Sequence, residues 1–383
     1  MNDAVPMTTN PALGIFIFVM GGLAGAVFYL PLKKEKNWAW ESYWLFWALF
    51  ALLIVPMVLA HIMSPNTFSV LKAAPSKELW YCYLCGAAWG FGGLTWGLMI
   101  RYLGVGLGLA MGCGLCSAAG TIVPPIIRQV FHQDGTKFTE LFHTSTGALN
   151  VAGIVSVVGV IVSLFGIVLV GLAGMSKEKE LPEEEKKKSV AEYNFKKGML
   201  VALFSGLMSA ALGFGLVGGP TIEKLALTTQ PVTPLAWAGM PVLVIALLGG
   251  FTVNFIWCII LNIKNKSLGD YVNPEGPWIV SNGVFAAIAG SIWVCQFVAF
   301  KTGAPQMGEQ GYVGWAVLMA SSIMFSGALG LMLGEWKGTS SRTRGLLGLG
   351  LVVLLGSAVL SGYSGKLGQD AAAKTPVPVV QTK

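Results

Sequence analysis

Apolar residues run along the chain in long blocks broken by short polar or charged stretches, without the two-residue alternation of a membrane barrel. A helix needs about 20 residues to cross the hydrocarbon core of a bilayer, and it satisfies its own backbone hydrogen bonds there. The blocks predict ten such helices, over 12–32, 41–63, 78–100, 104–127, 149–174, 198–219, 235–262, 278–300, 309–333 and 343–363. The first block has no basic segment before it and no small-residue cleavage site after it. Pro31, Lys33 and Lys34 follow it instead, so it reads as a retained span rather than a signal peptide. The 364–383 stretch, with Gln369, Asp370, Pro376 and Pro378, reads as a disordered tail.

Composition agrees with the pattern. Hydrophobic residues make up 54% of the chain and charged residues 11%, against about a quarter in soluble proteins. A soluble globule of this size cannot hide that much apolar surface. The balance excludes a soluble enzyme, a nucleic-acid binder and a disordered chain, and leaves an all-α integral membrane protein. The net charge of +7 is informative through its placement. The connections after spans 1, 3, 5, 7 and 9 carry 16 of the 25 Lys and Arg. Positive charge accumulates on the cytoplasmic side, which predicts a cytoplasmic 175–197 loop and both termini in the periplasm. Trp38, Trp40, Trp44 and Trp47 are expected in an interfacial belt flanking the second span.

The longest charged stretch divides the chain into a first five-helix repeat (1–175), a charged linker (176–197) and a second five-helix repeat (198–363) ahead of the tail. Five spans per half force the second half to enter the membrane from the opposite side. That is the geometry of inverted-repeat transporters, with a substrate site between the halves near the midplane. Glycines four apart (Gly21/Gly25, Gly104/Gly108/Gly112, Gly215/Gly219 and Gly330/Gly334) predict close helix packing.

Several segments resemble the bacterial L-rhamnose/proton symporter family, a branch of the drug/metabolite transporter superfamily. They are Phe28-Tyr29-x-Pro31-x-Lys33-Lys34 with Trp38-x-Trp40-Glu41, Trp89-Gly90, Arg101-Tyr102-Leu103-Gly104 and Asn194-x-Lys196-Lys197-Gly198. Asn254, then Asn282, Trp293 and Gln296, then Trp315, then Glu335-Trp336 continue the match in order. The resemblance implies ten helices in two inverted halves. It also implies proton-coupled import of L-rhamnose or a related 6-deoxyhexose across the bacterial inner membrane by alternating access. The runner-up is a permease or exporter of another small polar metabolite on the same fold. Late in the third span the resemblance implies asparagines, where this chain has Gly93 and Thr95.

Sugar recognition needs neutral donors and acceptors beside aromatic faces. Polar residues inside apolar spans supply the first set: Asn254, Gln296, Asn282 and Thr95. Trp89, Trp96, Trp293 and Trp315 supply the second. An unpaired amide in lipid is costly, so these side chains face either a cavity or a neighbouring helix. Coupling to a proton calls for a carboxylate whose pKa can move, and Glu309 and Glu41 are the candidates. Arg101 is expected to reach the cytoplasmic interface. Cys82-x-x-Cys85 and Cys113-x-x-Cys116 have zinc-site spacing but lie in apolar spans at depths offset by about 9 Å, so they read as small apolar filler. Gly213-x-Gly215-x-x-Gly218 follows no strand, so it is no phosphate cradle. Neither a cofactor, a metal nor a nucleic-acid partner is expected. The partners are the sugar, the proton and the lipid bilayer.

Overall fold

The structure is a computed structural model, and it describes residues 10–130, 138–143, 147–182, 184, 192–272, 278–306 and 313–374. The described residues are overwhelmingly helical, and their only β-type pairing is an isolated bridge between His143 and Leu149. The long helices are α1 (Pro11–Val27, followed by a single turn at Tyr29–Leu32), α2 (Trp40–Met63), α3 (Ser76–Leu103), α4 (Val105–Val130) and α5 (Val151–Glu180). After the linker come α6 (Phe195–Val217), α7 (Met240–Asn265), α8 (Trp278–Gln306), α9 (Val313–Met332) and α10 (Ser341–Lys374).

By length and composition, seven stretches of the described residues can cross a membrane, and they lie in α1, α2, α5, α6, α7, α8 and α10. In α4 and α9 the apolar part is shorter, Leu107–Gly120 and Val317–Met332. In α3, Trp80, Tyr81, Tyr83, Trp89, Trp96 and five glycines dilute the aliphatic character. α10 continues to Lys374, beyond the expected end of the last span, because Ala371, Ala372 and Ala373 are strong helix formers.

The burial pattern is that of a protein solvated by lipid. On α6 the large residues Leu200, Leu203, Phe204 and Leu207 form an exposed stripe, while Gly198, Ala202, Ser205, Gly206 and Ser209 face inward. Both faces are apolar enough for hydrocarbon, and size decides which one packs. Small inward residues let backbones approach, as expected of helix association in lipid. The closest approach is between α3 and α7. A Cβ on Gly86 would lie 1.7 Å from the Ala246 carbonyl oxygen, and one on Gly249 would lie 2.0 Å from that of Tyr83. Only glycine fits at either position.

Two local devices bend the chain. Gly104 adopts φ 85 between α3 and α4, a left-handed conformation open to glycine, and so turns α3 directly into α4. In α2 the segment Leu49–Ile54 is a π-helix just ahead of Pro56, whose ring nitrogen cannot donate to the preceding turn. The widened turn lies against α8, where a Cβ on Gly290 would meet the Ala51 nitrogen at 2.8 Å and the Trp47 carbonyl oxygen at 2.9 Å.

The packing order is simple. α3 packs against α6 and α7, and α8 against α1 and α2. α1 packs against α9, and α6 against α4; α4 then meets α5, and α9 meets α10. Three further pairs, α2 with α7, α4 with α9 and α5 with α10, close the bundle.

Candidate functional site

Where α1, α2, α3, α4, α6, α8 and α9 converge, the bundle holds a pocket of about 70 Å³. Its walls are aromatic and its polar groups few, the usual composition of a small-molecule site. Four indoles and a phenyl ring make a continuous run beside it. Trp44 stacks on Trp47 with centroids 4.4 Å apart, Trp47 meets Trp293 edge-on at 5.3 Å, and Trp293 stacks on Trp89 at 5.2 Å. Phe297 closes on Trp293 at 4.7 Å, and Trp96 completes the wall from α3.

This arrangement corrects one expectation. Trp44 and Trp47 are each 1% exposed, so they belong to the core and not to an interfacial belt. For Trp44, Asn254 makes that burial possible. Its Oδ1 accepts the Trp44 indole N–H at 2.9 Å, and its Nδ2 donates to the Gly250 carbonyl at 2.8 Å. A buried indole needs a partner for its N–H, and Asn254 supplies it from the facing helix α7.

The sequence-predicted residues therefore divide. Trp89, Trp96, Trp293 and Gln296 line the pocket together. Gln296 donates from Nε2 to the Trp293 carbonyl at 3.1 Å and turns its carbonyl oxygen toward Gly25 on α1. Asn254 does not line the pocket but fixes Trp44, which does. Asn282 is remote, with its amide paired to the Lys36 backbone: Nδ2 donates to the carbonyl at 2.7 Å, and Oδ1 accepts the N–H at 3.2 Å. Thr95 returns its hydroxyl to the Phe91 and Gly92 carbonyls of its own helix, at 3.0 and 2.9 Å. Trp315 lies in α9 with its side chain outside the described residues, and Glu309 lies outside them altogether.

Glu41 is 4% exposed and sits among neutral donors at the start of α2. Its Oε1 accepts from Asn265 Nδ2 at 2.9 Å and Ser267 Oγ at 2.7 Å. Asp270 ties the start of the same helix, taking the Ala39 N–H at 2.9 Å and the Ser42 hydroxyl at 2.6 Å. Cys113 and Cys116 are part of the pocket wall, and Cys82 packs with Ile222 and Val242.

Two pocket groups lie outside the set of site residues expected from the sequence. The Ser209 hydroxyl and the Trp47 indole N–H both face buried surroundings without a hydrogen-bond partner among the described residues. A buried polar group left unmatched costs about 1–3 kcal/mol, so such groups mark where a polar solute can bond. Ser209 was hidden because α6 is rich in small residues that simply pack.

Charged contacts occupy the two ends of the bundle. Lys301 on α8 bonds Glu223 at 2.5 Å and the Leu216 carbonyl at 2.8 Å. Arg101, at the end of α3, pairs with Glu192 just ahead of α6. Lys177 is fully buried at the end of α5, with Nζ 4.9 Å from the Tyr193 ring centre and 5.1 Å from that of Trp336.

Comparison with known proteins extends over nearly the whole chain. The family described as L-rhamnose-proton symport protein matches residues 7–366. An L-rhamnose-proton symporter of Klebsiella pneumoniae is 31% identical over 365 residues, covering 94% of this chain and 98% of the relative. One from Salmonella gallinarum is 30% identical over 359 residues, covering 93% and 98%. No solved structure matches the chain.

Proposed function

The chain belongs to the L-rhamnose-proton symport family, and we propose that it carries L-rhamnose into the cell together with protons. It is a multi-pass membrane transporter and not an enzyme. The observation that carries the substrate reading is the aromatic pocket with its unmatched Ser209 hydroxyl and Trp47 N–H. A 6-deoxyhexose presents hydroxyls on its edges, a C–H face and a methyl group. Ser209, Gln296 and Trp47 meet the hydroxyls, and Trp89, Trp96 and Trp293 meet the apolar parts. Asn254 serves through Trp44, which it holds against the pocket. Glu41 stays a candidate coupling group at the α2 entrance, and so does Glu309 ahead of α9. Asn282, Thr95 and Trp315 are assigned to the supporting framework of that site.

In this reading α1 to α10 all cross the inner membrane, as two inverted halves, 1–175 and 198–363, joined by the charged 176–197 linker. The packing order supports it. Exchanging α1–α5 for α6–α10 converts every helix contact named above into another on the same list or into itself. Alternating access then follows from rocking one set of packed faces against the other around a fixed pocket. The lysine- and arginine-rich connections lie in the cytoplasm, with both termini in the periplasm.

Proteoliposomes containing the protein, given an inward proton gradient, are expected to accumulate labelled L-rhamnose above its external concentration. Unlabelled L-rhamnose should compete, and dissipating the gradient should abolish accumulation. Accumulation of some other polar metabolite, with L-rhamnose ignored, would instead favour the permease alternative.

A further inference from the structure

Glu35 lies in the turn between the Tyr29–Leu32 helical turn and α2, where a solvated loop charge would be ordinary. Instead both of its carboxyl oxygens are shielded from solvent, and neither has a hydrogen-bond partner among the described residues. Two elements bring titratable groups to it, and a third acts on those groups. Tyr29 from that helical turn and Tyr43 from α2 interact with each other and with Glu35. Arg101, from the end of α3, acts on both phenols but spends its own guanidinium on Glu192. Of the lysines on its own loop, Lys33 and Lys34 are exposed, with the Lys34 ammonium 5.9 Å from the Phe285 ring centre. Lys36 is exposed, with its backbone tied to Asn282. Glu41 lies on the neighbouring turn of α2, engaged by Asn265 and Ser267.

An ionised carboxylate in these surroundings would be a sealed charge with no compensating bond. Burial pushes Glu35 up to about 9, above its ordinary value of 4.5. A raised affinity of this size keeps the proton bound at neutral pH.

The opposite end of the bundle shows what such a cation contact looks like. Lys301 on α8 is joined to Glu223, which lies in the connection between α6 and α7. Exchange of the two halves sends α8 to α3 and the α6–α7 connection to the α1–α2 connection. Those two elements carry Arg101 and Glu35. Lys301 and Glu223 are paired at one end, whereas at the other Arg101 pairs with Glu192 and Glu35 is left unbonded among the described residues, the kind of asymmetry that alternating access requires.

We propose that Glu35 is a proton-binding site of the transport cycle, protonated while this end is sealed and released when Arg101 exchanges Glu192 for Glu35. In that step the Glu35 O–H bond breaks, the proton passes to cytoplasmic water, and the carboxylate left behind pairs with the guanidinium. Nothing else is consumed or produced. The proposal rests on the symport reading above.

The test compares Glu35→Gln with wild type in two assays on proteoliposomes. L-Rhamnose counterflow, which needs sugar exchange but no net proton movement, is expected within about twofold of wild type. Accumulation driven by an inward proton gradient is expected to fall at least tenfold. Glu35→Asp should restore accumulation with a displaced pH profile. Glu35→Gln accumulating sugar like wild type would overturn the proposal. If Glu35→Gln loses counterflow too, Glu35→Asp decides: recovered accumulation supports a carboxyl role, and continued loss of both activities overturns it. Failure of wild type to exchange L-rhamnose would instead strike the symport reading, and the proposal with it.

Discussion

Asn254 makes no wall of the pocket, yet its carboxamide decides where one wall stands. A polar side chain inside an apolar helix is easy to find by eye. Whether it faces a ligand or a neighbouring helix depends on contacts far away in sequence, such as the one from Asn254 to Trp44. Gln296, Trp89, Trp96 and Trp293, each conspicuous against its helix, do come together on one pocket. Asn282 and Thr95 were equally conspicuous but are bonded to Lys36 and to their own helix. Ser209 and Glu35 carried no sequence signal at all, since a serine among small residues and a glutamate in a lysine-rich turn are commonplace. Removing either hydroxyl-facing group of the pocket should be felt directly. Ser209→Ala and Gln296→Ala are each expected to weaken L-rhamnose binding by about fivefold, the worth of roughly 1 kcal/mol in a single neutral hydrogen bond. Half-saturation in counterflow measures it, and unchanged values would remove that residue from the site.

Helices pack here through what they lack. α3 and α7 meet at Gly86 and Gly249, where a methyl group would overlap backbone carbonyl oxygen. The glycine spacing is informative at Gly21/Gly25 and Gly215/Gly219, where an added Cβ would meet a neighbouring helix at 2.8 to 3.0 Å, but the tightest approaches are those of Gly86 to Ala246 and Gly249 to Tyr83. The sequence could not reveal the partner, because 50 glycines offer many equivalent pairings. Gly86→Ala is expected to cost at least the 1–3 kcal/mol or so of an overpacked core. Gly213 supplies the contrast, since nothing lies within 4 Å of a Cβ placed there. Gly213→Ala should be neutral or stabilising by up to about 1 kcal/mol through helix propensity. Thermal denaturation of the two variants in detergent checks this, and equal melting points would refute the packing account.

At the scale of the whole molecule, hydrophobic blocks located the helices well. Most of their ends moved by a few residues, while the Ala-rich end of α10 runs to Lys374 rather than 363. The spatial order was not legible, because exposed and buried faces in lipid are both apolar and differ mainly in side-chain size. Orientation rests on the asymmetric distribution of 16 of the 25 basic residues. An alkaline phosphatase fused to the C-terminus is therefore expected to be active, and one inserted within 185–190 inactive. The reverse pattern would invert the assignment. Coupling itself is reciprocal: if protons drive the sugar, the sugar must drive protons. The direct measurement is lumenal pH in proteoliposomes that contain no proton gradient, after L-rhamnose is added outside. An inward sugar gradient should acidify the lumen, with the response lost when L-rhamnose is equal on both sides. Sugar entry with no change in lumenal pH would contradict the account.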